Sequence, residues 1–456
     1  MPEAKRGYIP TSDDERAEML RKIGVMEVDD LFRDIPPDFL NPELNLPPGR
    51  SSLELMRHMS SLAEKNRHMD GGLGGMPSFL GNGVYRSFIP KAVDDIASRS
   101  EFYTAYTPYQ PTISQGTLQA TFELQSMLCE IMGTEISNAG IFNGPTAAGE
   151  GGVMSVRIQE YIKRQENRRE IAVPPNVRNN IREVISAYAS GRGSVVRVIE
   201  RGGPAIIGEN TACVFVQQPN AFGYLEDLEE WEQIAHKAGA LFGVYADPIY
   251  AASFDESPGS FRADIVVGDA QVLGNPPNFG GPSFGILTTR LDFVRQMPGR
   301  LIGRTIDKNG NIAYVITLPG REQFERRANR PTSNITTSAA LVGLRSAIYI
   351  ALMGWQGLRN VGEQSFHKAH YLADRISSLK GFRLPLEGDF FREFVVECPI
   401  PPAEVNRRLL QAGILGGVDV TDRIPRGLLL CCTEMNSRGE IDQLVEELAK
   451  IGAKGV

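Results

Sequence analysis

Four short β-branched or apolar runs, Val195 to Ile199, Cys213 to Val216, Ala240 to Tyr245 and Ile265 to Val267, follow one another closely, and each suits a buried strand. Leu225 to Lys237 suits a helix between two of them. Leu124, Leu128 and Ile131, and then Val177, Ile181, Val184, Ile185 and Tyr188, repeat at helical spacing upstream. Strands alternating with helices imply a mostly parallel sheet covered on both faces. With 456 residues the chain has room for more than one such core. Residues 1–85, rich in proline and glycine, read as a helical and extended arm whose first helix starts at the Ser12–Glu15 capping box. Residues 86–335 read as a large α/β domain, and residues 336–456 as a smaller C-terminal α+β domain. The small domain is expected to hold helices at Ala339 to Met353 and Phe366 to Leu379, strands at Phe394 to Cys398 and Leu428 to Cys432, and a last helix capped by Ser437 and Glu440.

Charge narrows the partners. Lys and Arg number 48 against 55 Asp and Glu, a net charge of −7, and no basic patch stands out, so no nucleic-acid partner is expected. The five cysteines form no CxxC pair, which fits a reducing, cytoplasmic setting. The first residues lack the apolar run of a signal peptide. Ala339 to Met353 contains Arg345 and is too short to span a bilayer, so no membrane partner is expected either.

One constellation points to chemistry. Asn143-Gly144-Pro145-Thr146-Ala147-Ala148 precedes a helical stretch, where backbone N–H groups can hold a phosphate. Asp247 ends the run Leu241 to Ala246, at the strand end where such a sheet presents ligand groups, and Gly280-Gly281-Pro282 follows. That order is the order of fold type I pyridoxal-phosphate enzymes, in which the Asp keeps the pyridinium nitrogen protonated. A small-residue turn and a strand-end Asp each also serve purely structural ends. The lysine that would hold the cofactor is missing, since none lies between Lys237 and Lys308, and no histidine lies between His68 and His236 to stack on the ring. The residues therefore describe a cofactor-type fold without the means for the covalent step. Elsewhere, His367 and His370 with Asp374 read as a surface ion pair rather than a metal site. Cys431-Cys432 reads as buried filler, and Arg300 and Arg304 as anion contacts or interface pairs.

The run Glu101 to Ala120, EFYTAYTPYQPTISQGTLQA, resembles the N-terminal (alpha) subunit of the two-subunit P-proteins of the glycine cleavage system. Met19 to Val25, Phe79 to Gly81, Ala246 to Pro248, Ala263 to Gly268, Phe279 to Pro282, Arg295 to Arg300, Thr332 to Asn334 and Thr433 to Met435 carry the likeness along nearly the whole chain. It implies a fold type I transferase-like architecture in which the cofactor lysine belongs to subunit 2, with Gln271 at the matching position here. Pyridoxal 5'-phosphate would be held by that partner, with none covalently bound to this chain. Glycine would form an aldimine there, lose carbon dioxide, and pass its aminomethyl group to the lipoyl arm of H-protein. Asn143, Gly144, Thr146, Asp247 and Gln271 would be a vestigial cofactor pocket, and the isolated chain would be inactive. The chain departs from the family at Gly149-Glu150-Gly151, where Ala-Glu-Ala is usual, and at Asp269-Ala270, where Glu-Gly is common.

Tyr103, Tyr106 and Tyr109 cannot share one helical face beside Thr107-Pro108 and Gln110-Pro111. They could be core aromatics, but a rigid loop of amphipathic rings fits a subunit interface better. With Gln110, Ser114 and Gln115 they are expected to close the partner's active site. The alternative function is a non-catalytic regulatory or scaffolding pseudoenzyme derived from such a subunit.

Overall fold

In the computed structural model, strand residues alternate between two cores, which is what builds the large sheet. Cys213 and Phe215 face one core while Val214 and Val216 face the other, and Leu241 and Tyr245 divide from Phe242 and Val244 in the same way. The structure describes every residue except 1–10, 41, 44, 70–74, 104–106, 200–206, 255–256, 319–332, 334, 336–338 and 455–456.

The sheet contains β1 (Ile136–Ser137), β2 (Glu170–Val173), β3 (Val195–Val198), β4 (Thr211–Gln218), β5 (Leu241–Ala246), β6 (Ile265–Asp269) and β7 (Gly285–Thr289) in the order β1-β7-β6-β5-β4-β2-β3. Neighbours from β6 through β3 run parallel, and β7 is antiparallel to both of its neighbours. One correction concerns β3. It was expected to be buried, but it lies at the sheet edge with Val195 61% and Val198 50% exposed. A β-branched run marks a strand without telling a central position from an edge.

The chain divides into two compact units, Met1–Arg67 and His68–Val456. In the first, α1 (Asp13–Ile23) and α2 (Ser52–Ala63) each begin with a complete capping box, Ser12 with Glu15 and Ser51 with Glu54. The boundary falls before the expected end of the arm at residue 85. Phe79 and Tyr85 are buried, the Phe79 N–H donates to the Leu415 carbonyl at 2.9 Å, and residues 76–85 are part of the larger unit. Proline and glycine signal irregular backbone, not exposure, and two buried rings decide where this segment lies.

In the larger unit α3 (Lys91–Ala97) and α4 (Ser100–Tyr103) lead to α5 (Gln115–Met132), α6 (Gly144–Arg157), α7 (Asn179–Ser190), α8 (Leu228–Lys237) and α9 (Pro248–Ser253). Helices α6 and α7 cover one face of the sheet, while α5, α8 and α9 cover the other. A hairpin of β8 (Ile302–Ile306) and β9 (Ile312–Ile316) packs on α5. The two helices expected after residue 335 form one bent element, α10 (Ala340–Ser377), broken at Gly354 by φ 62° and ψ 179°, a conformation that favours glycine. The C-terminal part forms its own core around an antiparallel sheet, β10 (Glu393–Glu397), β12 (Gly427–Cys431) and β11 (Val418–Asp419), under α11 (Pro402–Gln411) and α12 (Arg438–Lys454).

Candidate functional site

The carboxyl ends of β5 and β6 place Asp247 and Asp269 on one rim of the large sheet, the position at which such sheets bind ligands. Asp247 caps α9, with Oδ1 accepting from the N–H groups of Ile249 at 2.9 Å and Tyr250 at 3.2 Å. Its other oxygen is taken by Arg392, whose Nη2 pairs with Oδ2. Arg392 comes from the residue just before β10 and is only 2% exposed. Its guanidinium carbon lies over the Tyr85 ring, 3.6 Å from the ring centroid. A cation stacked on an aromatic ring and paired with this Asp is what a pyridinium would be, and here the chain supplies both from its own side chains.

The phosphate-like turn is filled in the same manner. Asn143 caps α6 by accepting from the Thr146 N–H at 2.9 Å, and the Gly144 N–H donates at 2.8 Å to Asp269 Oδ2. Asp269 also accepts from the Ser283 hydroxyl and from the Gln271 N–H at 2.9 Å. A carboxylate of the chain thus sits where a helix N-terminus would receive an anion. Burial raises the Asp269 carboxyl above its ordinary range, and the hydrogen bonds from Ser283, Gly144 and Gln271 oppose that shift. Only glycine fits at 144, since a Cβ would collide with the Tyr245 hydroxyl and Asp269.

Gln271, 4% exposed, holds a backbone segment. Its Oε1 accepts from the Tyr85 N–H at 2.8 Å, and its Nε2 donates to the carbonyls of Tyr85 at 2.9 Å and Asn275 at 2.7 Å. Tyr85 in turn donates its hydroxyl to Glu393 Oε2 at 2.7 Å and accepts from Arg178 Nη2 at 2.9 Å, with Arg178 3.4 Å from the same carboxylate. Burial raises the Tyr85 hydroxyl well above its usual range, keeping it a neutral donor. The cavity left among Tyr85, Arg178, Asp247, Gln271 and Arg392 is about 30 Å³, room for water. A neighbouring cavity beside Asn143, Tyr245 and Gly280 to Ser283 reaches about 180 Å³, below the range of roughly 300 Å³ and upward usual for small-molecule sites. Pyridoxal phosphate does not fit these residues. Its phosphate, ring nitrogen and carbonyl carbon would each meet a position already satisfied by Asp269, Arg392 or Gln271.

All five residues expected in the vestigial pocket therefore converge on one place, Asn143, Gly144 and Thr146 at the start of α6 and Asp247 and Gln271 beyond it. Tyr85, Arg178, Asp269, Arg392 and Glu393 complete the network and were not singled out from sequence as site residues. Arg392-Glu393 did carry a signal, being a charged pair inside the apolar stretch Phe390 to Val396.

The tyrosine loop is a separate surface. Tyr103 is 68% and Tyr109 54% exposed, Gln110 is exposed, and Ser114 is half-buried at the start of α5; Tyr106 lies outside the described residues. Arg300 grips Tyr109, with Nη2 3.1 Å from the hydroxyl and the guanidinium 5.3 Å from the ring centroid. Gln115 fastens the loop to β9, donating to the Tyr314 carbonyl at 2.9 Å and accepting from its N–H at 2.9 Å. His370 corrects a surface reading. It is stacked on Phe390 at 4.0 Å, with Nε2 2.9 Å from the Phe390 carbonyl, because its helix face turns toward the small-domain core. Cys431 and Cys432 are buried, and burial raises both thiols. No group of three or more His, Cys, Asp or Glu able to hold a metal occurs among the described residues.

Comparison with known proteins gives consistent results. Residues 6–448 match the family described as glycine cleavage system P-protein. A relative from Thermomicrobium roseum, named probable glycine dehydrogenase (decarboxylating) subunit 1, is 41% identical over 98% of this chain and 100% of its own length. A counterpart of the same name from Chlorobium limicola is 43% identical over 97% and 100%. A crystal structure of glycine decarboxylase (P-protein) in inhibitor-bound form superposes with TM-score 0.88 at 38% identity, covering 98% of this chain and 100% of that one. At 15% identity and TM-score 0.57, covering 80% and 94%, a C-DES mutant with glycine covalently linked to its PLP cofactor shares the fold.

Proposed function

The chain belongs to the glycine cleavage system P-protein family, as a subunit 1, and from that premise we propose that it completes the glycine-decarboxylating site of a subunit 2 that alone carries pyridoxal phosphate. The observation that supports this reading is that Asp269, Arg392 and Gln271 already satisfy the Gly144 N–H, the Asp247 carboxylate and the Tyr85 backbone from within the chain. A subunit with its own pocket sealed contributes through its surface. The substrate is glycine, the aminomethyl group goes on to the lipoyl arm of H-protein, and the assembly is a cytoplasmic heteromer. Alone, the chain neither holds the cofactor nor decarboxylates glycine.

The loop of Tyr103, Tyr106, Tyr109, Gln110, Ser114 and Gln115 closes the partner's cavity in this reading. Two exposed tyrosines on a segment stiffened by Pro108 and Pro111 and tied down at Arg300 and Tyr314 support it, since a prepaid conformation lowers the entropic cost of closure. Glycine offers no side chain to grip, so its positioning depends on contacts to its carboxylate and on exclusion of water. A scaffolding role is less favoured, because the chain spans these relatives end to end. The test is co-expression with subunit 2 followed by an assay of glycine-dependent carbon dioxide release. Activity of the pair with none in either chain alone supports the reading, and full activity of subunit 2 by itself overturns it. The Tyr103→Phe/Tyr106→Phe/Tyr109→Phe variant is expected to pair and turn over slowly. Undiminished turnover would remove the loop from the site.

A further inference from the structure

The rim of the large sheet is filled where a cofactor would lie, yet two buried donors beside it are unspent. Tyr245 is 6% exposed, and its hydroxyl, which abuts Gly144, has no hydrogen-bond partner among the described residues. Arg178, 9% exposed, gives Nη2 to Tyr85 and Glu393. Its Nη1 has no hydrogen-bond partner among the described residues, and it lies so close to Gly83 that a Cβ there would collide with it. Both side chains line the cavity of about 180 Å³ beside Asn143 and Gly280 to Ser283. Asp269 lines it too. Arg178 is paired with Glu393 and Arg392 with Asp247, whereas Asp269 makes no ion pair among the described residues. Burial raises its carboxyl, the mark of a negative charge that its hydrogen bonds do not fully offset.

We propose that this cavity binds a small α-amino acid without covalent attachment, with the ligand's carboxylate on Tyr245 and Arg178 and its ammonium group on Asp269. The charge pattern selects the ligand. Water can meet the two donors but brings no positive charge to Asp269. Phosphate or sulfate would be repelled by the same carboxylate, and a simple amine would leave the donors without an acceptor. A zwitterion whose two charges flank one carbon serves both walls, and the volume limits it to little or no side chain. No lysine lines the cavity to form an imine, so the ligand is bound and released unchanged. The site lies within this chain, and the inference does not depend on the pairing with subunit 2.

The full-length chain, without subunit 2, is titrated with glycine by calorimetry, with acetate, methylamine and tryptophan as comparisons. Saturable binding of one equivalent of glycine is expected, with a Kd of about 1 mM or tighter. Each of the other three ligands should bind at least about tenfold more weakly, and so should glycine to the Tyr245→Phe variant, whose thermal unfolding without ligand stays that of wild type. Glycine should also slow hydrogen exchange at the amides of Gly83, Val84 and Ser283. Absence of saturable glycine binding overturns the inference. Equal affinity for acetate overturns it by making the cavity an anion site, and unchanged affinity of Tyr245→Phe, or protection confined to other segments, overturns it by moving the binding elsewhere. None of these outcomes alters the result of the assay of the paired subunits, so this inference and the functional reading fail separately.

Discussion

The pocket at the carboxyl rim of the large sheet and the arm in Met1–Arg67 are opposites. In the pocket, where a ligand would leave open space, Arg392 and Gln271 are 2% and 4% exposed and meet partners within the same chain. In the arm, where apolar side chains would ordinarily form a core, Met26 is 85% and Met56 65% exposed. The chain has closed the polar site inside and left apolar surface outside. The difference teaches that the rim of such a sheet stays closed when charged side chains of the chain itself satisfy one another there.

The sharpest way to break the comparison is to empty the pocket. Arg392→Ala leaves Asp247 without its counter-ion in a buried site, and we expect a loss of about 3–5 kcal/mol in urea unfolding. The Asp247→Asn/Arg392→Met pair should recover most of that loss, because neutral groups of similar size carry little of the desolvation cost. If Arg392→Ala unfolds like wild type, the ion pair does not seal the site.

Glu150 comes next. Burial pushes its carboxyl up to about 7 from 4.5, with the hydrogen bond from Ser333 opposing. Because the folded value is the raised one, its contribution to stability is complete below about pH 4.5 and is lost as pH rises through about 7. Glu150→Gln removes that slope, so it should match wild type near pH 4.5 and exceed it by up to roughly 3 kcal/mol at pH 8. Parallel pH profiles for the two proteins would contradict this.

Gln271→Leu strips the Tyr85 N–H and carbonyl of their partner, and a loss of about 1–3 kcal/mol is expected from denaturant titration. Gln271→Lys should still show no absorbance band for a lysine-linked cofactor, since Asp269 and Arg392 continue to fill the other two positions. The smallest effect belongs to the arm, where Leu55→Ser/Met59→Ser/Leu62→Ser should move the stability of the isolated chain by no more than about 0.5 kcal/mol. A loss above 2 kcal/mol would mean these side chains already have a partner within the chain, and the contrast between the two regions would fail.

Much of this was legible in the sequence. Short β-branched or apolar runs and helical spacing located strands β4 to β6 and the helices around them, because each depends on neighbours a few residues away. Asp247 and the Asn143–Thr146 turn were legible for the same reason, as a strand end and a helix start. What filled them was not, since Arg392 is 145 residues from Asp247 and Asp269 is 125 from Gly144. Pairing at that distance depends on the whole topology. The resemblance implied that Gln271 matches the cofactor lysine's position, but its role as a clamp on Tyr85 follows only from where residues 76–85 pack. His370 was misplaced because i, i+4 spacing to Asp374 indicates a neighbour without indicating which helix face is buried.

Borohydride reduction of the complex with PLP-loaded subunit 2, followed by peptide mapping of both chains, tests the central claim most directly. We expect one equivalent of pyridoxyl-lysine on subunit 2 and none on this chain. A pyridoxyl group recovered near stoichiometry on Lys237, Lys308 or any other lysine of this chain would contradict the account.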